Sequence, residues 1–420
     1  MRVRVLGVVL LTLAVVMPLR GVVAETEVTI GGEVRWRNEW DKRSFDPDAT
    51  VGAYGDLRTR LSVDALVDSN ARAFMQFQDS RRLGGRSAAG EYTSGTLVSG
   101  FNVDMHQAYV EILKWTDYGL SFKGGRFEVA LGNERVFGTV GWSNVGRSWE
   151  GVEFGWKGKC LDVRFLGLWR RELGDEYQDR DYKIAGLVSA QPKIGSELFV
   201  FRELDSDKLV EGASSGIKAL DRISLGGHIK RAIGPVTLES NLVYQFGERR
   251  HIGGDGYFAQ DISAFLVTAE ISGVVHERRK IALGAGVDYA SGDDDPNDDT
   301  FSGYDNLYYT GHKFRGHMDY FVESRPEGLV DIIARASGEI VSGWMVGAHF
   351  HHFMSAADYV GAGGAKTNKI GSELDVFWST REIRGALLNQ GVSAFFPSRA
   401  YSAAGADPAI WWYWMVTVAF

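Results

Sequence analysis

The chain has one cysteine, Cys160, among 420 residues. An intrachain disulfide and a cysteine-based metal site are therefore both excluded. Proline is scarce, at 8, whereas glycine reaches 52, well above the usual share of roughly 7%. Glycine costs about 1 kcal/mol in a helix interior, so this balance suits tight turns and strands. After residue 24 no apolar run approaches the ~18 residues of a membrane helix, which excludes transmembrane helices. A basic balance is missing as well. Lys and Arg total 46 against 54 Asp and Glu, a net charge of −8, which argues against general nucleic-acid binding.

The first 26 residues, "MRVRVLGVVLLTLAVVMPLRGVVAET", carry Arg2 and Arg4, an apolar core from Val5 to Met17, and Val22-Val23-Ala24. This pattern predicts a cleaved secretory signal peptide over residues 1–24. The core falls short of the roughly 20 residues that span a bilayer as a helix. Removing the segment takes three arginines and no acid, leaving residues 25–420 with a net charge of −11.

What fills the remainder is period-2 alternation, helped by a strand-favouring stock of 12 Trp, 16 Tyr and 23 Phe. In "EVTIGGEVRWRNEW", Val28, Ile30, Val34, Trp36 and Trp40 share one face, and Glu33, Arg35, Arg37 and Glu39 the other. In "DLRTRLSVDALV", Leu57, Leu61, Val63 and Val67 oppose Asp56, Arg58, Arg60 and Asp64. "LDVRFLGLW" sets Val163, Phe165 and Trp169 against Asp162 and Arg164, and "KIGSELDVFW" sets Ile370, Leu374, Val376 and Trp378 against Glu373 and Asp375. A soluble β-sandwich would alternate too. Here, however, the polar faces carry consecutive charges, the apolar faces end on Trp or Tyr, and segments recur about every 20 residues, the spacing of transmembrane strands. The expected fold is all-β: a transmembrane antiparallel up-and-down β-barrel of sixteen to eighteen strands over residues 25–420, in the bacterial outer membrane. The final "WWYWMVTVAF" reads as the closing strand, meeting the first near Val28, with Trp412, Trp414, Val416, Val418 and Phe420 outward. Phe420 is the candidate assembly signal, recognised by a barrel assembly machinery.

Gly-, Pro- and charge-rich stretches at 81–100, 247–260, 291–315, 354–369 and 396–409 read as outer loops. The stretch before the first strand at residue 28 is too short for a plug domain, which argues against ligand-gated import.

Four stretches carry a resemblance. They are "RTRLSVDALVDSNARAFMQFQDSRRLGG" (58–85), "VDMHQAYVEI" (103–112), "GGRFEVALGNERVFGTVGWSNVGRSWEGVEF" (124–154) and "DYASGDDDPNDDTFSGYDNLYYTGHKFRGHMDYF" (288–321). In order and spacing they resemble the alginate export family of outer-membrane proteins. One departure stands in the last block, where Tyr308-Tyr309-Thr310 lacks the proline usual between aromatic and threonine. The resemblance implies an eighteen-stranded, monomeric barrel that passes an anionic polysaccharide through an arginine-lined pore.

A polyuronate carries one carboxylate per sugar, and a pore must replace the hydration it loses. Arginine does this best, because its planar fork stays charged and binds carboxylate through two N–H groups. The candidate constriction residues are Arg60, Arg126, Arg135 and Arg147. Arg35, Arg37, Arg58 and Arg164 also lie on inward parities. Glu33, Asp64, Glu134, Glu153 and Asp162 are the candidate counter-charges. Single arginines of this kind also brace the wall of any water-filled barrel.

No cofactor is expected. The run "DDDPNDD" offers Asp293, Asp294, Asp295, Asp298 and Asp299 as hard oxygen ligands for a loop-bound calcium, but its spacing matches no EF-hand loop. "HFHHF" puts His349 and His351 on one face and His352 on the other; these, His106 and His312 read as wall or loop hydrogen-bonding groups. Expected partners are outer-membrane lipid and lipopolysaccharide, the anionic glycan itself and a periplasmic export complex. The alternative function is a porin for small anionic solutes. A barrel enzyme is the remote alternative, since no G-x-S-x-G occurs and no Ser–His pair stands out.

Overall fold

A computed structural model describes residues 25–83, 103–172, 180–210, 213–253, 256–402 and 407–420. The predicted signal peptide, most of the 81–100 loop and parts of the 247–260 and 396–409 loops lie outside the described residues. Eighteen antiparallel strands close into one barrel. They are β1 (Thr26–Lys42), β2 (Gly52–Val67), β3 (Ala71–Leu83), β4 (Val103–Ile112), β5 (Leu120–Phe127), β6 (Trp149–Lys157), β7 (Asp162–Arg171), β8 (Tyr182–Gln191) and β9 (Ser196–Asp205). The second half comprises β10 (Leu220–Ile233), β11 (Val236–Gly253), β12 (Gly256–His276), β13 (Ile281–Ala290), β14 (Leu329–Val341), β15 (Trp344–Val360), β16 (Lys366–Thr380), β17 (Leu387–Pro397) and β18 (Ala409–Ala419). No helix among the described residues is long and apolar enough to cross a membrane.

Alternation sets the two surfaces. Along β12, Gln260, Ile262, Ala264, Leu266 and Thr268 are buried and the residues between them exposed. The outer face is apolar: Val28, Ile30, Leu61, Phe165, Leu225, Leu242 and Leu283 are all exposed. Closure leaves no edge strand with unpaired backbone groups. The seam pairs β1 with β18 from Glu33↔Ala419 to Lys42↔Ile410. The contact is thus several residues further along β1 than Val28, whose stretch pairs only with β2. Phe420 extends the seam: its N–H donates to the Gly32 carbonyl at 3.0 Å and its carbonyl accepts from the Gly32 N–H at 2.8 Å.

Ile370 departs from the expected outward parity. The β15–β16 pairing shifts between Phe353 and Met354, and such a bulge flips the side chains beyond it. Ile370 is therefore fully buried, among Phe321, Phe353 and Phe395.

One rim has short turns only, and Cys160 sits there, exposed, in the link between β6 and β7. The other rim carries the long connections. Two of them, 128–148 (loop A) and 291–328 (loop B), bend inward. The expectation that 291–315 forms an outer loop holds only for its acidic start. Asp294, Asp295, Asp298 and Asp299 are exposed, whereas Tyr304, Tyr308, Tyr309, Phe314, Met318 and Phe321 are buried. These aromatic and apolar side chains gain from burial against the inner wall, and this drives the loop into the lumen.

Candidate functional site: an arginine-lined cavity between two inward loops

The two loops are joined to each other. Tyr308 of loop B donates its N–H to the Val136 carbonyl of loop A at 2.9 Å, and Gly138 N–H donates back to the Tyr308 carbonyl at 2.9 Å. The Arg147 guanidinium bonds the carbonyl oxygens of Tyr308 and, at 3.2 Å, Tyr309. Burial depresses the pKa of the Arg147 guanidinium below its ordinary value, and both carbonyls accept from its Nη1. Thr310 Oγ1 donates to Glu134 at 2.5 Å. Each loop also grips a wall. Phe137 of loop A packs on Trp149 and Phe201, and Phe321 of loop B packs on Phe353 and Phe395.

Loop A is fastened to β1–β3 by wall arginines. Arg35 donates to Gly141 O at 2.7 Å and Ser143 O at 2.9 Å. Arg37 donates to Trp142 O at 2.6 Å and lies 4.3 Å over the Trp142 ring. Arg58 reaches Gly141 O and Ser143 O while pairing with Glu33 at 2.6 Å. Arg60 joins Gln78, His106 and Val145 O, and His106 also meets Glu128 at 2.8 Å. A loop carbonyl taken from water needs a donor, and the guanidinium fork supplies several at once.

The other sequence-predicted residues are placed as follows. Arg126 is partly exposed between Glu150 (3.2 Å) and Asp104 (3.7 Å). Arg135 is buried, pairs with Asp288 at 2.5 Å and lies 3.8 Å over Phe314. Arg164 stands 3.9 Å from Glu153 near the short-turn rim. Asp64 pairs with Arg72 at 2.5 Å, and Asp162 begins β7 half-buried. In the acidic run, Asp293 turns inward and burial pushes its carboxyl up. Asp295 and Asp298 accept the N–H groups of Asn297 and Thr300, as turn residues do.

Between the loops and the wall lies a cavity of about 880 Å³. Six arginines line it: Arg37, Arg43, Arg82, Arg147, Arg170 and Arg222. Five carboxylates face them: Glu39, Asp56, Asp305, Asp319 and Glu323. Of the predicted arginines, the cavity takes Arg37 and Arg147. Arg43, Arg82, Arg170 and Arg222 were missed, although Arg170 continues the inward parity of Arg164. Each is positioned by a neighbour. Arg222 pairs with Glu203 (2.8 Å) and Asp305 (2.9 Å); Arg170 lies 4.9 Å over Tyr182; Arg82 lies 3.9 Å over Tyr54. Arg43 reaches Asp41 and Glu39. Burial pulls its guanidinium down, but Asp41, Tyr54 and Glu39 outweigh that and hold it above its ordinary value. Glu39 accepts from Tyr54 and Trp411 at 2.7 and 2.9 Å and forms an ion pair with Arg37 at 2.8 Å, so it is a fixed part of the wall.

A closed barrel with an apolar outer belt, narrowed by inward loops around charged groups, defines an outer-membrane channel. The sequence matches the Alginate export family over residues 26–408, and the chain belongs to that family. Among curated proteins no sequence relative is found. Solved structures share the fold. Pseudomonas aeruginosa OpdK with vanillate gives a TM-score of 0.57 at 10% identity, covering 93% of this chain and 98% of that one. P. aeruginosa OccK2 (OpdF) in complex with glucuronate gives 0.57 at 11%, covering 94% and 98%. Acinetobacter baumannii OccAB1 gives 0.59 at 12%, covering 93% and 96%. The family and these neighbours are channels rather than enzymes.

Proposed function

We propose that the channel is anion-selective and passes carboxylate-bearing sugars, in the first place an acidic glycan of the polyuronate type. One observation carries this: six arginines against five carboxylates around one cavity, in a chain whose overall charge is negative. Selectivity follows the local field rather than net charge. The interleaved carboxylates hold the guanidinium groups extended and limit the dwell of a bound anion, as conduction requires. The family's description as alginate export supports a polymer.

A second reading has its own support. A volume of about 880 Å³ suits one small ligand, and two structural neighbours were solved with the carboxylates vanillate and glucuronate. A passing polymer needs loop B to yield; a small uronate does not. Planar-bilayer recording separates the readings. In a salt gradient the reversal potential should favour anions, and exchanging Arg170 and Arg222 for Ala should weaken that preference. Cation preference in the wild-type channel would sink both readings. Block by oligouronate with free passage of the monomer would favour the second.

A further inference from the structure

Loop B carries His317 to the wall formed by β15 and β16. There it meets His349 of β15 and Asp375 of β16, and one ligand atom from each lies within 4.8 Å of the other two. His317 Nδ1 is 4.0 Å from Asp375 Oδ1. The ring centroids of His317 and His349 are 5.5 Å apart. Asp375 is fully buried, and among the described residues the only group in hydrogen-bonding reach of its oxygens is the neighbouring carboxyl of Glu373. Glu373 is fully buried too, and its Oε1 accepts the Met318 N–H at 2.8 Å.

Two buried carboxyl groups that share at most one proton are costly, because little else replaces their hydration. The neighbouring charges are already committed: Arg335, the cross-strand partner of His349, pairs with Glu270, and His351 pairs with Asp331 at 2.8 Å. Phe377 packs against both His317 and His349 and keeps one side of the cluster apolar. Two converging imidazoles and a carboxylate form a donor set of borderline softness that suits zinc-like divalent ions.

We propose that His317, His349 and Asp375 bind one divalent transition-metal ion of the zinc type, which clasps loop B to the barrel wall. Bonds of about 2.0–2.2 Å draw the three atoms together by roughly 1 Å, within reach of side-chain rotation. Because one ligand belongs to the loop and two to the wall, the ion sets how readily the loop leaves the lumen. Calcium and magnesium prefer all-oxygen shells and do not compete.

Zinc titration of the chelator-treated, full-length protein in detergent tests this. Saturable binding of one ion per chain is expected, undiminished by excess magnesium. Either H317A or H349A should weaken it by at least about tenfold, the loss that even outer-shell changes around a metal cause. H317A leaves both wall strands intact, so it reports on binding even where D375N fails to fold. In bilayers, zinc should reduce the opening of the wild-type channel reversibly on chelation and leave H317A unaffected. Absence of saturable binding to the wild type, or equal binding to H317A, would overturn the proposal. Binding lost in H349A but kept in H317A would place the ion on the wall alone and equally overturn the clasp.

Discussion

At the scale of single residues, the arginines of β1 and β2 divide into two kinds of work. Arg35 and Arg58 spend their donors on loop carbonyls, whereas Arg37 does so and still lines the cavity. Replacing Arg58 with Ala leaves the carbonyls of Gly141 and Ser143 to Arg35 alone and takes the guanidinium partner from the carboxylate of Glu33. The expected loss is about 1.5–3 kcal/mol, the range for hydrogen bonds to charged groups. Denaturant or heat unfolding should show it, together with noisier conductance as loop A loosens. Arg58→Lys keeps the charge but not the fork, so it should rescue only in part. Inward parity made these arginines legible in the sequence. Their partners were not, because Gly141 lies 106 residues from Arg35 and 83 from Arg58. No local pattern announces which carbonyl a guanidinium will find.

At the scale of elements, strands were legible and inward loops were not. Alternation with period 2 is a local property, and it failed only where a bulge reset the parity, as at Ile370. Loop B was obscure for a physical reason: Tyr304, Tyr308, Tyr309 and Phe314 read equally well as girdle aromatics or as a buried plug. Its course depends on close backbone approach at Gly316. With φ at +77°, that residue lies where a Cβ would fall 2.5 Å from Glu373. Gly316→Ala adds a left-handed strain of roughly 1–2 kcal/mol to this collision with a fully buried side chain. Loop B should then sit less firmly, and single-channel recording should find larger, more frequent openings than in the wild type. Unchanged conductance would mean that the segment around Gly316 does not hold the loop in place.

At the scale of the whole molecule, closure rests on the meeting of the first and last strands. The sequence announced the last strand through its alternation, but not its register, which side-chain packing selects: the Phe420 ring lies where a Cβ on Gly32 would be, 2.5 Å from Cζ. Trp36 and Trp414 make an edge contact across the same seam at 4.8 Å. Deleting Phe420 removes the two backbone bonds to Gly32. We expect insertion into the outer membrane to drop before any change in conductance, measured as the fraction of heat-modifiable barrel in membrane extracts. Normal insertion of that truncation would discard Phe420 as an assembly signal.

Cys160 stands exposed on the short-turn rim, opposite the rim from which both inward loops spring, and it is the chain's sole thiol. The protein therefore carries its own single-point tag. An impermeant maleimide added to one side of a vesicle will count the molecules facing that way, without any engineered handle. With Cys160 replaced by serine, pairs of new cysteines across loop B and the wall could be oxidised without competition. The loop could then be locked or freed at will, and its share in conduction read from one molecule at a time.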